Sequence, residues 1–236
     1  MFGTSQHASK QYDKDLEELR SQVLRMGGLV EQQVADAMQA LDTREDALFE
    51  RVIRNDAQVN SMEIALDAAC VELIAQRQPA ANDLRLVLSV TKAITDLERI
   101  GDEASKIARA GRDISARSMQ IVPVLADLRL ISDRAIDMLQ AALDSFARAD
   151  AHAAALVIDQ DEEIDVRFRA IQRQLITHMM EDSRLIGTSL DVTFIAKSIE
   201  RIGDHAKNIA EYVIYMVKGQ DIRHAPREAV EESLRS

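Results

Sequence analysis

The pentapeptide ERIGD occurs twice in this chain, as Glu98 to Asp102 and again as Glu200 to Asp204, each time inside the same apolar frame. Around the second copy Ile195, Ile199, Ile202, Ala206, Ile209, Val213 and Met216 alternate spacings of four and three, the a/d seam of a packed helix. Around the first copy Ala93, Leu97, Ile100, Ala104 and Ile107 fall 102 residues upstream of their counterparts. A seam that returns at a fixed offset predicts a duplicated helical unit.

Similar seams run through Leu19, Val23, Met26, Val30 and Val34, through Val59, Met62, Leu66 and Leu73, through Val124, Leu128, Ile131 and Ala135, and through Ile164, Phe168, Ile171 and Leu175. Six long helices result. The breaks between them are short: Asp42-Thr43, Gln78-Pro79 and Asp182-Ser183 offer caps or a first-turn proline. Short connections make neighbouring helices antiparallel. Only GRDISARSMQIVP, from Gly111 to Pro123, is long and mixed enough to separate two halves, so a boundary is placed near Ala116. The expected fold is all-α, a tandem pair of related three-helix bundles covering 1–115 and 116–236, with the first nine or so residues disordered and a short C-terminal tail. Composition agrees, because aromatic residues make up 3%, tryptophan is absent, and eight glycines and three prolines interrupt an Ala, Leu, Glu and Arg-rich chain. At ~1.5 Å per residue, helices of about 30 residues are roughly 45 Å long, so each bundle is a rod.

A net charge of −11 argues against a general nucleic-acid binder, which needs clustered Lys and Arg. Cys70 is the single cysteine, which excludes an intrachain disulfide and C-x-x-C sites and fits a reducing cytosol. The opening MFGTSQHASK lacks the apolar core of a signal peptide, and no apolar run approaches the ~18 to 20 residues that cross a bilayer. The expected location is the cytoplasm.

With Leu97 at a and Ile100 at d, Glu98 falls at b and Asp102 at f, on the outer face; Glu200 and Asp204 sit identically. Like charges at i and i+4 destabilise a helix by roughly 0.2 to 0.5 kcal/mol. An interior glycine such as Gly101 or Gly203 costs about 1 kcal/mol relative to alanine. Two readings of a motif that accepts both costs stand side by side. In one, the carboxylates bind or bridge hard cations such as Mg, Ca or Mn, with iron within reach, and the glycine admits a close neighbour. In the other they form a solvated face paired with Arg99 and Arg201. A metal site would need ligands from a second helix: Asp161 and Asp165 in the C-terminal half, and Asp56, Asn60, Glu63 and Asp67 in the N-terminal half, the last two fitting a solvated flank.

No Glu-x-x-His pair, G-x-x-x-x-G-K-[ST] loop, H-E-x-x-H helix or G-x-S-x-G elbow is present, and no nucleophile with its base is assembled. Two other classes are weighed. A histidine phosphotransfer module or similar signalling adaptor would use His178 or His205. A carboxylate-metal hydrolase would need an open coordination site and a pocket beside Glu200.

The segments ITDLERIGDEASKIA and AKSIERIGDHAKNIA, with ACVELIAQRQPAANDLRLV and MMEDSR ahead of the third helix of each half, resemble the PhoU family from about Asp13 to Arg223. The resemblance implies a cytoplasmic, non-catalytic regulator that represses the phosphate-starvation response. Its implied partners are the ATPase subunit of a high-affinity phosphate ABC transporter, a membrane sensor histidine kinase and a second copy in a homodimer, with the membrane reached through proteins only. It also implies metal on paired E/D-x-x-x-D motifs, iron or zinc clusters or Mg, with Mn as a further candidate. Glu98 with Asp102, Glu200 with Asp204, and Asp161 with Asp165 match that motif. Asp56 with Asn60 departs from it, since an amide replaces the second carboxylate, and the resemblance therefore implies the stronger metal site in the C-terminal half.

Overall fold

The computed structural model describes residues 4–117, 124–223, 225 and 234, with side chains from Lys10 onward. Six helices follow one another: α1 (Thr4–Thr43), α2 (Asp46–Arg77), α3 (Ala81–Ala116), α4 (Leu125–Arg148), α5 (Ala151–Glu181) and α6 (Ile186–Lys218). A short 3-10 turn, Ser183–Leu185, precedes α6. Helices α1, α2 and α3 pack on one another, and so do α4, α5 and α6. The fold is all-α, a tandem pair of three-helix bundles, and no strand occurs among the described residues. The apolar seams form the cores, with Val23, Met26, Val59, Leu97, Ile100, Ile131, Ile164, Ile199 and Ile202 all buried.

The two cores are continuous, because α3 lies along α6 in the broadest contact of any helix pair and α1 also touches α4. The two central helices run antiparallel. Ser89, early in α3, donates its hydroxyl to the carbonyl of Tyr212 late in α6, while Arg117 at the end of α3 pairs with Asp191 at 2.8 Å near the start of α6. Each third helix is thereby covered by two helices of its own half and one of the other.

The glycine of each ERIGD copy is explained by this packing. A Cβ at Gly203 would lie 2.8 Å from Cδ1 of Ile164 on α5, and one at Gly101 would lie 3.3 Å from Cγ1 of Val59 on α2. In both halves the seam of the second helix makes this approach, and at Gly101 Oε1 of Gln33 on α1 is equally close at 3.3 Å.

Several helix ends depart from the sequence reading. Helix α3 continues through Gly111 to Ala116, because Gly111 and Ile114 are buried in the N-terminal core; residues 118–123 of the expected linker lie outside the described residues. Helix α1 begins at Thr4, within the stretch expected to be disordered, whose first three residues also lie outside the described ones. Thr43 is still helical, and the turn falls at Arg44, with φ 56. Asp42 caps nothing and instead pairs with Arg129 of α4 at 2.6 Å. Asp182 does cap, accepting from the Arg184 amide of the 3-10 turn, and Asp150 caps α5 through the amides of His152 and Ala153.

Candidate functional site

The b and f positions of α3 and α6 are not outer-face positions. Glu98, Asp102 and Asp204 are half-buried, and Glu200 is only 9% exposed. Helix α2 lies over this flank of α3 and α5 over that of α6, so the carboxylates line the two grooves between neighbouring helices. A seam defines one buried face, and a helix at the centre of two bundles has three.

In the N-terminal groove, Asp56 of α2 lies within electrostatic reach of Glu98 and Asp102 of α3, and Asn60 stands one turn further along α2. The Oδ1 atoms of Asp56 and Asn60 are shut off from solvent and have no hydrogen-bond partner. Burial pushes the Asp56 carboxyl above its ordinary range, and the charge of Asp102 adds to this, with Arg109 and Lys106 opposing. Burial also raises Glu98, reinforced by Asp102, Glu63 and Asp56 and opposed by Arg99. Glu63 thus belongs electrostatically to the group, while Asp67 is exposed.

In the C-terminal groove the carboxylates have cations of their own. Lys197 donates to both oxygens of Glu200, at 2.5 Å to Oε1. Lys207 reaches across to Asp161 at 2.7 Å, and Arg169 stands 3.7 Å from Asp165. Asp204 is left among them, and its carboxyl is pushed up to about 6 by burial first, then by Glu200, Asp161 and Asp165, with Lys197 opposing.

Among the described residues no three His, Cys, Asp or Glu side chains converge as a ready ligand set. The orphaned Asp56 and Asn60 oxygens nevertheless fit a hydrated hard cation such as Mg or Mn, which takes carboxylate and amide oxygens and keeps several waters. Zinc favours His and Cys, and neither is among Asp56, Asn60, Glu98 and Asp102. The C-terminal carboxylates fit a cation less well, since two of them already hold ammonium groups.

A second polar cluster, between the bundles, escaped the sequence reading. Asp96 of α3, 6% exposed, accepts from Nδ1 of His205 at 2.6 Å and from Asn208 at 3.1 Å, both on α6. Burial, the Asp96 charge and an Asp96 hydrogen bond raise the Tyr212 hydroxyl well above its usual range. Glu103, buried as well, pairs with Lys106 at 3.0 Å and with Arg201 at 2.8 Å. Arg201, expected to neutralise its own ERIGD copy, therefore serves the other half. The signal was in the heptad: Asp96, Glu103, Ser198 and His205 all occupy g positions, which meet where antiparallel central helices touch.

Beside this cluster lies a cavity of about 520 Å³, lined by Arg201, Asp204, His205, Lys207, Asn208, Glu211, Tyr212 and Arg223. The cavity the hydrolase alternative asks for is present near Glu200, and Asp204 and Glu211 are the carboxylates in its lining. The phosphotransfer alternative loses His205 as an acceptor, because the ring is 7% exposed and held by Asp96.

Fold and site together define a duplicated three-helix-bundle protein whose polar chemistry is concentrated along two central helices. The chain belongs to the PhoU family: the PhoU domain matches it twice, at residues 23–111 and 128–213, one copy in each bundle. It is 47% identical over 230 residues to the phosphate-specific transport system accessory protein PhoU of Serratia marcescens, covering 98% of this chain and 94% of that one. The protein of the same name from Escherichia coli (strain K12) is 46% identical, with 98% and 95% covered. The crystal structure of PhoU from Pseudomonas aeruginosa superposes with a TM-score of 0.86 at 45% identity, over 89% of this chain and 100% of that one. The phosphate transport system regulatory protein PhoU from Streptococcus pneumoniae gives 0.82 at 28% identity, over 89% and 98%. No helix among the described residues is long and apolar enough to cross a membrane.

Proposed function

We propose that this chain is a non-catalytic, cytoplasmic negative regulator of the phosphate-starvation response. It couples the ATPase subunit of a high-affinity phosphate ABC transporter to a sensor histidine kinase, and it works as a homodimer. The observation that carries this reading is the match along 98% of the chain to proteins named as phosphate-specific transport accessory proteins. A protein that acts by docking needs unpartnered surface, and α6 presents Ile186, Leu190 and Phe194 on one exposed face, with Ile176 and Met180 exposed near the end of α5 that leads into it. The carboxylates serve this role as cation ligands: Asp56, Asn60, Glu98 and Asp102 hold a hard divalent ion that offsets their mutual repulsion and stiffens the contact of α2 with α3.

Deletion of the gene tests the regulatory reading. Phosphate-starvation genes are expected to stay on in rich phosphate, and a plasmid copy is expected to restore repression, whereas a folded Leu190→Asp/Phe194→Asp copy is not. Normal repression in a deletion strain that carries no second copy would overturn the proposal.

A further inference from the structure

The two halves of the repeat do not treat their carboxylates alike. At the 102-residue offset, Glu98 corresponds to Glu200 and Asp102 to Asp204, but Thr95 corresponds to Lys197 and Ser105 to Lys207. On the second helix of each half the offset is 105, as Val59 against Gly101 and Ile164 against Gly203 show, so Asp56 corresponds to Asp161 and Asn60 to Asp165. At these positions the C-terminal half carries one more carboxylate and two more ammonium groups, whereas Lys106 and Arg109, whose charges reach Asp56 in the N-terminal half, are matched in the C-terminal half by Asn208 and Glu211.

The side chains use this exchange. Lys197, one turn before Glu200, donates to both of its oxygens, and its Nζ lies 5.5 Å from the ring centroid of Phe168, a seam residue of α5. Lys207, one turn after Asp204, crosses to Asp161 of α5. The lysines bracket the groove from its two ends. In the N-terminal half, Thr95 bonds the Thr91 carbonyl and Ser105 takes Arg109, while Lys106 is drawn to Glu103. Nothing there donates to Glu98, Asp102 or the orphaned oxygens of Asp56 and Asn60 among the described residues.

We propose that Lys197 and Lys207 are built-in counter-ions that occupy the place of a divalent cation in the C-terminal groove, so that only the N-terminal groove responds to such ions. The inference rests on the reading of the paired carboxylates as cation ligands. It reverses the order suggested by motif matching, in which Asn60 marks the weaker half. A divalent ion entering the C-terminal groove must displace an ammonium group already in contact with its carboxylate, and so exchanges one ion pair for another. An ion entering the N-terminal groove meets oxygens that have no partner to give up.

The test is Mn²⁺ binding to the purified full chain, read as stoichiometry by calorimetry and as the Mn²⁺-induced rise in melting temperature. The wild type is expected to bind in the N-terminal groove alone. Asp56→Asn/Glu98→Gln should abolish the rise, and Glu200→Gln/Asp204→Asn should leave it intact. Lys197→Met/Lys207→Met should bind one additional ion per chain, and adding Glu200→Gln/Asp204→Asn to that variant should remove the gain. Should the double lysine variant not fold, Lys207→Gln alone is read in the same way, as a new Mn²⁺ response that depends on Asp204. Loss of the wild-type response on Glu200→Gln/Asp204→Asn overturns the proposal, and so does a folded lysine variant with no added ion. Absence of Mn²⁺ binding in every protein overturns it together with the cation reading, while the gene-deletion result stands apart from both.

Discussion

Nδ1 of His205 stands 2.6 Å from Oδ1 of Asp96, and with both side chains more than nine-tenths buried this contact ties the C-terminal bundle to the N-terminal one. The carboxylate also holds Asn208 and interacts with Tyr212, so every partner it has comes from the opposite half. His205→Ala removes the 2.6 Å bond and leaves a buried carboxyl partly unsatisfied. A hydrogen bond to a charged group contributes roughly 1.5 to 3 kcal/mol, and a loss of about that size is expected in urea unfolding. Because the halves share one core, the loss should appear in a single transition. An unchanged midpoint would mean that apolar packing of α3 on α6 holds the halves together without the pair.

The sequence made the long helices and their seams legible, since the a/d spacing depends only on which residue types recur. It did not reveal that α3 and α6 would bury three faces each, because nothing in a heptad states how many helices surround it. That is why the heptad alone places Glu98 and Glu200 on an outer face and gives Asp96 and Glu103 no partner. The helix ends failed for a related reason: Gly111 and Ser115 look like linker residues, yet Phe49 and Leu41 hold Gly111 in the core. Pairing Glu103 with Arg201 or Asp96 with His205 required knowing that the halves pack antiparallel, which the repeat alone leaves open.

Gly111 offers a direct measure of how tightly the end of α3 is packed. A Cβ there would lie 2.5 Å from Cδ2 of Leu41 and 2.7 Å from Cε1 of Phe49, a ring that is fully buried. Alanine would gain about 1 kcal/mol of helix propensity, while overpacking a filled core costs typically ~1 to 3 kcal/mol. Gly111→Ala is therefore expected to lower the melting temperature, and Gly111→Ala with Leu41→Val to recover part of the loss. At Gly203 the obstacle is the terminal methyl of Ile164, which can rotate aside, so Gly203→Ala should be much milder. Equal effects at the two positions would contradict this account of close packing.

Asp204 supplies a pH dependence whose sign follows from its surroundings. Its carboxyl is pushed up to about 6 in the folded chain, from an ordinary value of 3.8, by burial and then by Glu200 and Asp161. Below pH ~4 the group is protonated in folded and unfolded states alike and contributes nothing to the difference between them. Between pH ~4 and 6 the unfolded chain has released this proton while the folded chain still holds it, so stability is lost across that window and stays lost above it, where the folded state must carry a half-buried carboxylate among like charges. Asn mimics the protonated acid at every pH. Asp204→Asn should accordingly match the wild type near pH 4 and exceed it at pH 7, by on the order of 1 kcal/mol once solvent screening is allowed for. Other carboxylates titrate in the same range, so the quantity to measure is the difference in urea midpoint between the two proteins at each pH. Lys197→Met should enlarge that difference, because Lys197 is the charge that opposes the shift. A difference that is constant with pH, or one that grows towards pH 4, would show that Asp204 ionises freely and that the C-terminal groove is not the crowded carboxylate site described above.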